Sequence, residues 1–344
     1  MSQNEALGVA DVQPDLGGAA RSWRRLLLTN EFGLILLIVV FTVIFATLAP
    51  AFVSRFSLFA MGRTMAIDIV IGFSMMVVIV TGGLNLSVGA MAVCAVMFGG
   101  WMIEAVGLPL PVAVLGALAM GAALGWINGM VIVKSGIHSF IITLATMSIF
   151  FGVMIFLTRA GAFRALPPEV AAFGKAKIGG YLSPLLLVTV VVMLALAYLY
   201  RYTALGRRML AAGASPAAAE LSGIRVNRTF VACHVLSGLL ATVAGLMLTA
   251  RTGAAIPSMA GHLGQDWLLP AFLAPVLGGT LLSGGRVSVV GTFLGGALVT
   301  ILSAGLLLMQ VGEFWVKAVL GLLLLLAVFA DMARRVYLAK RKMA

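Results

Sequence analysis

Charge is what this chain has least of. Only 10% of its 344 residues are Asp, Glu, Lys or Arg, against 62% hydrophobic. A soluble globular chain averages about 25% charged and roughly 45–50% apolar, so the composition excludes a water-soluble domain. The mean hydropathy of +1.14 agrees. Acids are scarcer still, 11 against 23 Lys and Arg, for a net charge of +12. A nucleic-acid-binding protein would gather that excess on one basic face. Here the basic residues fall between long uncharged stretches, where they hold membrane segments on one side. The two cysteines, Cys94 and Cys233, sit in apolar runs and give neither a disulfide framework nor a zinc site.

Catalytic signatures are missing as well. Gly174-Lys175 lacks the glycine-rich loop and the following Ser/Thr of a Walker A sequence, so the chain cannot hydrolyse ATP by that route. His138, His234 and His262 fall in separate segments without metal-ligand spacing, so no metal is expected. No Ser/His arrangement suggests a hydrolase, and no catalytic residue is assigned. Ion-coupled transporters keep ionisable groups deep in the membrane. Asp68, Glu104, Glu313 and Asp331 instead lie within a turn or two of expected helix ends, which ranks such a transporter third and an enzyme last.

What is present is a series of apolar runs, each near the roughly 20 residues that cross a bilayer. They place helices near 32–51, 61–81, 86–105, 110–131, 139–158, 182–200, 229–250, 267–282, 287–309 and 314–331. The first could mimic a signal peptide after Arg21, Arg24 and Arg25, but the uncharged stretch from Phe32 to Ser54 exceeds the roughly 7–15 residues of a signal core. An uncleaved helix is the better reading. The expected protein is all-α and polytopic, with about ten spans and both termini cytoplasmic. Fifteen basic residues then face the cytoplasm and eight the other side, as the positive-inside rule requires. The expected division is a cytoplasmic lead over 1–31, a transmembrane domain over 32–331 and a basic tail over 332–344.

Two features break this pattern. From Ile69 to Ile103 no charge occurs, and in the middle stands Thr81-Gly-Gly-Leu-Asn-Leu-Ser-Val-Gly89. It is either a tight cytoplasmic turn or a broken helix beside a pathway, since irregular backbone survives at membrane depth only where protein covers it or a wet cavity lies beside it. The segment is echoed by Gly278-Gly-Thr-Leu-Leu-Ser-Gly-Gly285, and matched glycine breaks in two halves point to a transport site. Gly83, Asn85, Ser87, Asn128, Thr143, Thr146, Gly279 and Ser283 are therefore the candidate pathway residues. Gly116, Gly121, Gly125 and Gly129 recur about a turn apart, as in close helix packing.

The one substantial hydrophilic internal segment is 201–228. Within it Ser215 is expected as N-cap, Pro216 at the first helical position and Gly223 just past the end of a two-turn helix. Such a helix is either a docking knob for a soluble partner or an ordinary connector.

These motifs together resemble the permease subunits of bacterial ABC importers for ribose and related monosaccharides, a family that includes autoinducer-2 permeases. The segment 81–89 is similar to the family's G-G-I-D-L-S-V-G, Phe140–Met147 to F-I-x-T-L-x-T-M, Glu220–Ile224 to its cytoplasmic coupling segment, and 278–292 to G-G-T-S-x-x-G-G…G-T. Asn85 stands where the family commonly has Asp, while Phe151 and Val287 replace Arg and Gly, and Leu281 replaces Ser. The resemblance implies an inner-membrane permease without cofactor of its own, forming the pathway for a small sugar. It further implies a second permease chain, a periplasmic binding protein that delivers the solute, and a cytoplasmic ATPase that uses ATP. Ser215, Pro216, Ala218, Glu220, Ser222, Gly223 and Ile224 would meet that ATPase. A nucleoside or branched-chain amino acid is the alternative cargo.

Overall fold

The computed structural model describes residues 30–180 and 182–343. The expected lead before residue 30 lies outside the described residues. Thirteen α-helices follow in order: α1 Asn30–Leu48, α2 Arg55–Ile79, α3 Val88–Glu104, α4 Leu110–Ser135, α5 Ser139–Thr158, α6 Pro168–Lys175 and α7 Pro184–Tyr202, then α8 Ala204–Ala214, α9 Pro216–Leu221, α10 Val226–Thr252, α11 Leu268–Leu277, α12 Val289–Leu308 and α13 Glu313–Met343. Among the described residues there is no β-strand, only isolated bridges such as Phe163 with Ala255. Seven helices (α1, α2, α4, α5, α7, α10 and α12) are long and apolar enough to cross a membrane. The chain is an all-α polytopic membrane protein.

The helices divide by enclosure. Of the most apolar stretch of α2, 72% is buried inside the protein, against 11% for α1. A helix that is hydrophobic all round belongs inside a protein or against lipid; α2, α10 and α12 take the first place and α1, α4, α5 and α7 largely the second. Between α4 and α10 the approach is close because Gly121, Gly125 and Gly129 face Gly238, the carbonyl of His234, and Val231. A Cβ on Gly125 would overlap the His234 carbonyl, so the glycine spacing is a packing device.

Four expectations need correction. The second helix starts at Arg55 rather than near 61, because Ser54 caps it by accepting from the Ser57 amide at 3.2 Å. Arg63 lies within it, its guanidinium donating to the Arg251 carbonyl at 2.7 Å and lying over the Phe59 ring. Asp68 is therefore mid-helix, not near an end, and accepts from Thr300 Oγ1 at 2.9 Å. The span expected over 267–282 is α11, ten residues long, about 15 Å at 1.5 Å per residue, half a bilayer core of about 30 Å. Segment 201–228 contains an unexpected helix, α8, packed on the enclosed α10.

The missing half of α11 is supplied by the segment before it. Ala255 lies against Gly100, near the end of α3, while Gly264 lies against Gly89 at its start. Eleven residues of α3 separate those levels, about 16 Å. The segment thus descends along α3 before α11 begins. Its lowest point is a 3-10 turn over His262–Trp267, where Leu263 and Gly264 take left-handed φ of 59° and 76°. A Cβ on Gly264 would come within 2.6 Å of the Ala90 amide, so only glycine fits that crossing.

Candidate functional site

The break after α2 is irregular backbone enclosed by protein. Gly82 closes the helix with φ +77° and donates to the Ile79 carbonyl at 2.8 Å. The chain then turns back, and side chains of α5 satisfy its amides: Leu84 N donates to Ser139 Oγ at 2.9 Å and Leu86 N to Thr143 Oγ1 at 3.1 Å. This is how a non-helical stretch avoids the several kcal/mol cost of an unpaired peptide group in an apolar setting.

Asn85 is at the centre. Its Oδ1 accepts from Ser87 N at 3.2 Å and Ser87 Oγ at 2.8 Å, which turns Nδ2 toward Ser237 Oγ, 2.9 Å away. Ser237 also meets Ser74: Ser74 Oγ donates to the Ser237 carbonyl at 2.8 Å, and the two hydroxyls are 3.0 Å apart. From the other side Asn128 Nδ2 donates to Ser87 Oγ at 2.7 Å. All of these side chains are fully buried. A carboxylate can only accept, whereas a carboxamide both donates and accepts. Asn85 therefore joins donor and acceptor partners without placing a charge in the core.

Of the candidate pathway residues, Asn85, Ser87, Asn128 and Thr143 thus come together, with Thr146 one turn along α5 donating to the Thr143 carbonyl at 3.3 Å. Gly83 is buried beside them, where a Cβ would stand 3.1 Å from Val78 Cγ1. Gly279 and Ser283 belong to the second break, with the Ser283 carbonyl 3.4 Å from where a Cβ on Gly82 would stand. Ser283 is exposed, and Gly279 ends α11 with φ +82°. Since Gly82 does the same for α2, the left-handed residue falls one position later in the second break than the echo implies.

The two breaks nevertheless meet. Gly285 N donates to the Val80 carbonyl at 2.8 Å. The end of α8 is seated on the same point: a Cβ on Gly213 would overlap the Val80 carbonyl and come within 2.6 Å of Gly285 N. A Cβ on Gly284 would fall 2.8 Å from Gly82 N and 3.0 Å from the carbonyl oxygens of Gly213 and Val80. Three segments distant in sequence touch here by backbone alone.

Beyond this junction, α9 has the expected caps. Ser215 Oγ accepts from Ala218 N at 3.4 Å, Pro216 opens the helix, and Gly223 has φ +80° with its amide donating to the Glu220 carbonyl at 2.9 Å. Ser222 Oγ donates back to the Ala218 carbonyl at 2.9 Å. Ala219, Val226 and Ala212 form a small core with Ile224, while Ser215, Pro216, Ala218, Glu220, Ser222 and Gly223 are exposed. Leu221, at 91% exposed, projects furthest.

Sequence reasoning missed Ser74, Ser139 and Ser237, because a lone serine in an apolar helix reads as back-bonding to its own backbone. It also missed a hollow of about 800 Å³ at the end of the protein opposite α8 and α9, lined by Phe151, Ile155, Arg164, Ser258, His262 and Leu263 among others. Among the described residues no group of three or more His, Cys, Asp or Glu could hold a metal ion.

Comparison with known proteins is consistent across the chain. The E. coli K12 ribose import permease protein RbsC is 35% identical over 313 residues, covering 88% of this chain and 94% of that one. The Bacillus subtilis RbsC is 36% identical over 305 residues, covering 88% and 92%. The Rhizobium meliloti fructose import permease protein FrcC is 32% identical over 305 residues, covering 87% and 83%. No solved structure matches. These relatives are transport permeases rather than enzymes. Residues 57–328 match the family described as branched-chain amino acid transport system / permease component, and the chain belongs to that family of multi-pass plasma-membrane permeases.

Proposed function

We propose that this chain is the membrane-spanning subunit of an importer for a small sugar, energised by ATP that a partner ATPase consumes. The similarity to ribose and fructose permeases, over 87–88% of this chain, supports the cargo class. In this reading the end carrying α8 and α9 faces the cytoplasm, a second permease chain completes the pathway, and a solute-binding protein docks at the opposite end. The chain itself carries no cofactor.

The observation that carries the coupling mechanism is the seating of α8 on both breaks. A partner that grips the exposed Pro216–Ile224 knob moves the end of α8. That end rests on Val80 and Gly285 without an intervening flexible side chain, so displacement passes into α2 and into the segment leading to α12. Backbone-to-backbone contact suits this task because packed interfaces switch between discrete arrangements rather than yielding gradually. Ser215, Pro216, Ala218, Glu220, Ser222, Gly223 and Ile224 form the partner-facing part. Gly83, Asn85, Ser87, Asn128, Thr143 and Thr146 brace the first break, and Gly279 and Ser283 belong to the second.

The test is uptake of radiolabelled D-ribose, D-fructose and D-allose by vesicles containing the chain, its ATPase and its binding protein. Uptake is expected to require internal ATP and to survive collapse of the proton gradient. Uptake driven by an ion gradient in vesicles without the ATPase would overturn the reading. Preferential uptake of leucine or a nucleoside would replace the sugar by the alternative cargo.

A further inference from the structure

The hollow opposite α8 and α9 is a built cavity lined in part by exposed polar side chains. One wall is the end of α5, with Phe151 and Ile155; the other is the descending segment, with Ser258, His262 and Leu263; Arg164 stands between them. The walls are fixed to each other, since Phe163 and Ala255 exchange two backbone hydrogen bonds of 2.9 Å. Glu104 Oε2 holds the edge by accepting from Arg164 N at 2.8 Å and Ala165 N at 2.9 Å. The floor is the left-handed turn of Leu263 and Gly264, locked against Gly89. Such a frame holds its side chains in place before anything binds.

Those side chains are unusual for a membrane protein's apolar surround. Arg164, Ser258 and His262 are exposed, and among the described residues their side chains make no hydrogen bond or ion pair. The His262 ring is nonetheless positioned, with its centroid 5.7 Å from that of the buried Phe151 at an interplanar angle of 52°. A neutral imidazole offers one donor and one acceptor, a hydroxyl both, and a guanidinium donors only. A ring face carries partial negative charge, which favours the C–H groups of a sugar. The volume of about 800 Å³ falls within the roughly 300–1,000 Å³ of small-molecule sites.

We propose that this hollow is a solute-binding subsite on the permease itself, for an uncharged polyhydroxylated ring the size of a pentose or hexose. His262 reads the solute with Ser258 and Arg164, and Phe151 is a positioning residue that holds His262. The subsite passes solute toward the Gly89–Gly264 crossing, which closes the route below it. The inference rests on the sugar-permease reading, and its test is separable from that reading.

The experiment uses the assembled complex in proteoliposomes, with binding protein saturated with D-ribose and with ATP hydrolysis recorded in parallel. His262→Ala is expected to lower D-ribose moved per ATP hydrolysed at least about fivefold, the size of one lost hydrogen bond with its ring contact. His262→Gln, which keeps a donor and an acceptor, is expected to recover part of it. Phe151→Trp is expected to depress D-allose uptake more than D-ribose uptake, by narrowing the hollow. Each variant is first purified as a complex, so a misassembled protein is recognised by its elution, and Ser258→Ala then serves in its place. Failure of the unmodified complex to move any monosaccharide would sink the sugar reading itself. Intact sugar uptake with all variants within about twofold of it would overturn the subsite alone. So would weakened docking of the binding protein in proportion to lost uptake, which would make the hollow a protein contact. Preference for D-ribonate over D-ribose would overturn the uncharged ligand.

Discussion

Around Asn85, polar side chains are many, buried and bonded to one another; around His262, three polar side chains face an open hollow with no hydrogen-bond or ion-pair partner among the described residues. Asn128 Oδ1 is the exception in the first group, buried with no partner. The contrast shows why polarity in an apolar sequence does not by itself mark a transport route. Asn85, Ser87 and Thr143 are spent on holding a broken stretch of backbone together. Arg164, Ser258 and His262 remain free to bind something else. The first region is a brace and the second a surface for solute.

Breaking the brace should give the largest effects. Gly213→Val would drive a branched side chain into the Val80 carbonyl and the Gly285 amide. Overpacking of this kind costs about 1–3 kcal/mol, and here both breaks are displaced together. Loss of uptake along with loss of the assembled complex is expected, read by size-exclusion chromatography. Recovery of a stable, transporting complex would show that the junction is slack.

Next comes Asn85→Leu, which removes partners from Ser87 and Ser237 at once. An unpaired buried polar group costs about 1–3 kcal/mol, so a lower thermal midpoint is expected. A double-mutant cycle of Asn85→Ala with Ser237→Ala sharpens this: contacting residues in one network couple by about 0.5–3 kcal/mol, and strict additivity would deny the contact.

Gly223→Pro should be milder on stability and specific to coupling. Proline cannot adopt the positive φ of this residue and removes the amide that donates to Glu220. The membrane-spanning core is expected to fold while ATP hydrolysis no longer tracks uptake; normal substrate-stimulated hydrolysis with normal uptake would reduce α9 to a connector. The smallest effect is expected from Glu220→Ala. An exposed ion pair to the partner contributes about 0–1 kcal/mol, and pull-down of the ATPase at two salt concentrations would detect it.

Much of the helical layout is legible in the sequence because long apolar runs have few alternatives at bilayer length. The caps at Ser215, Pro216 and Gly223 are legible because each residue type solves a local backbone problem. Gly89 against Gly264 is not, since it joins backbones 175 positions apart and leaves no side-chain signature. The half-length of α11 is hidden for a related reason: Leu268–Leu277 merges with flanking uncharged residues into the sixteen of 267–282, only about a turn short of a span. Asp68 is mid-helix because the helix expected from 61 in fact begins at Arg55, six residues earlier, where Ser54 caps it. At the candidate site Asn85, Ser87, Asn128 and Thr143 are legible but Ser74, Ser139 and Ser237 are not, because which polar groups satisfy one another is a property of the fold.

The contrast between brace and hollow can be measured directly with cysteine. The native Cys94 and Cys233 are both buried, so single replacements can be introduced with little background. Ser258→Cys and Ser87→Cys are compared in intact spheroplasts, with a membrane-impermeant thiol reagent added outside and no substrate present. The account predicts rapid labelling at position 258 and none at 87. Labelling at 87 together with silence at 258 would contradict it.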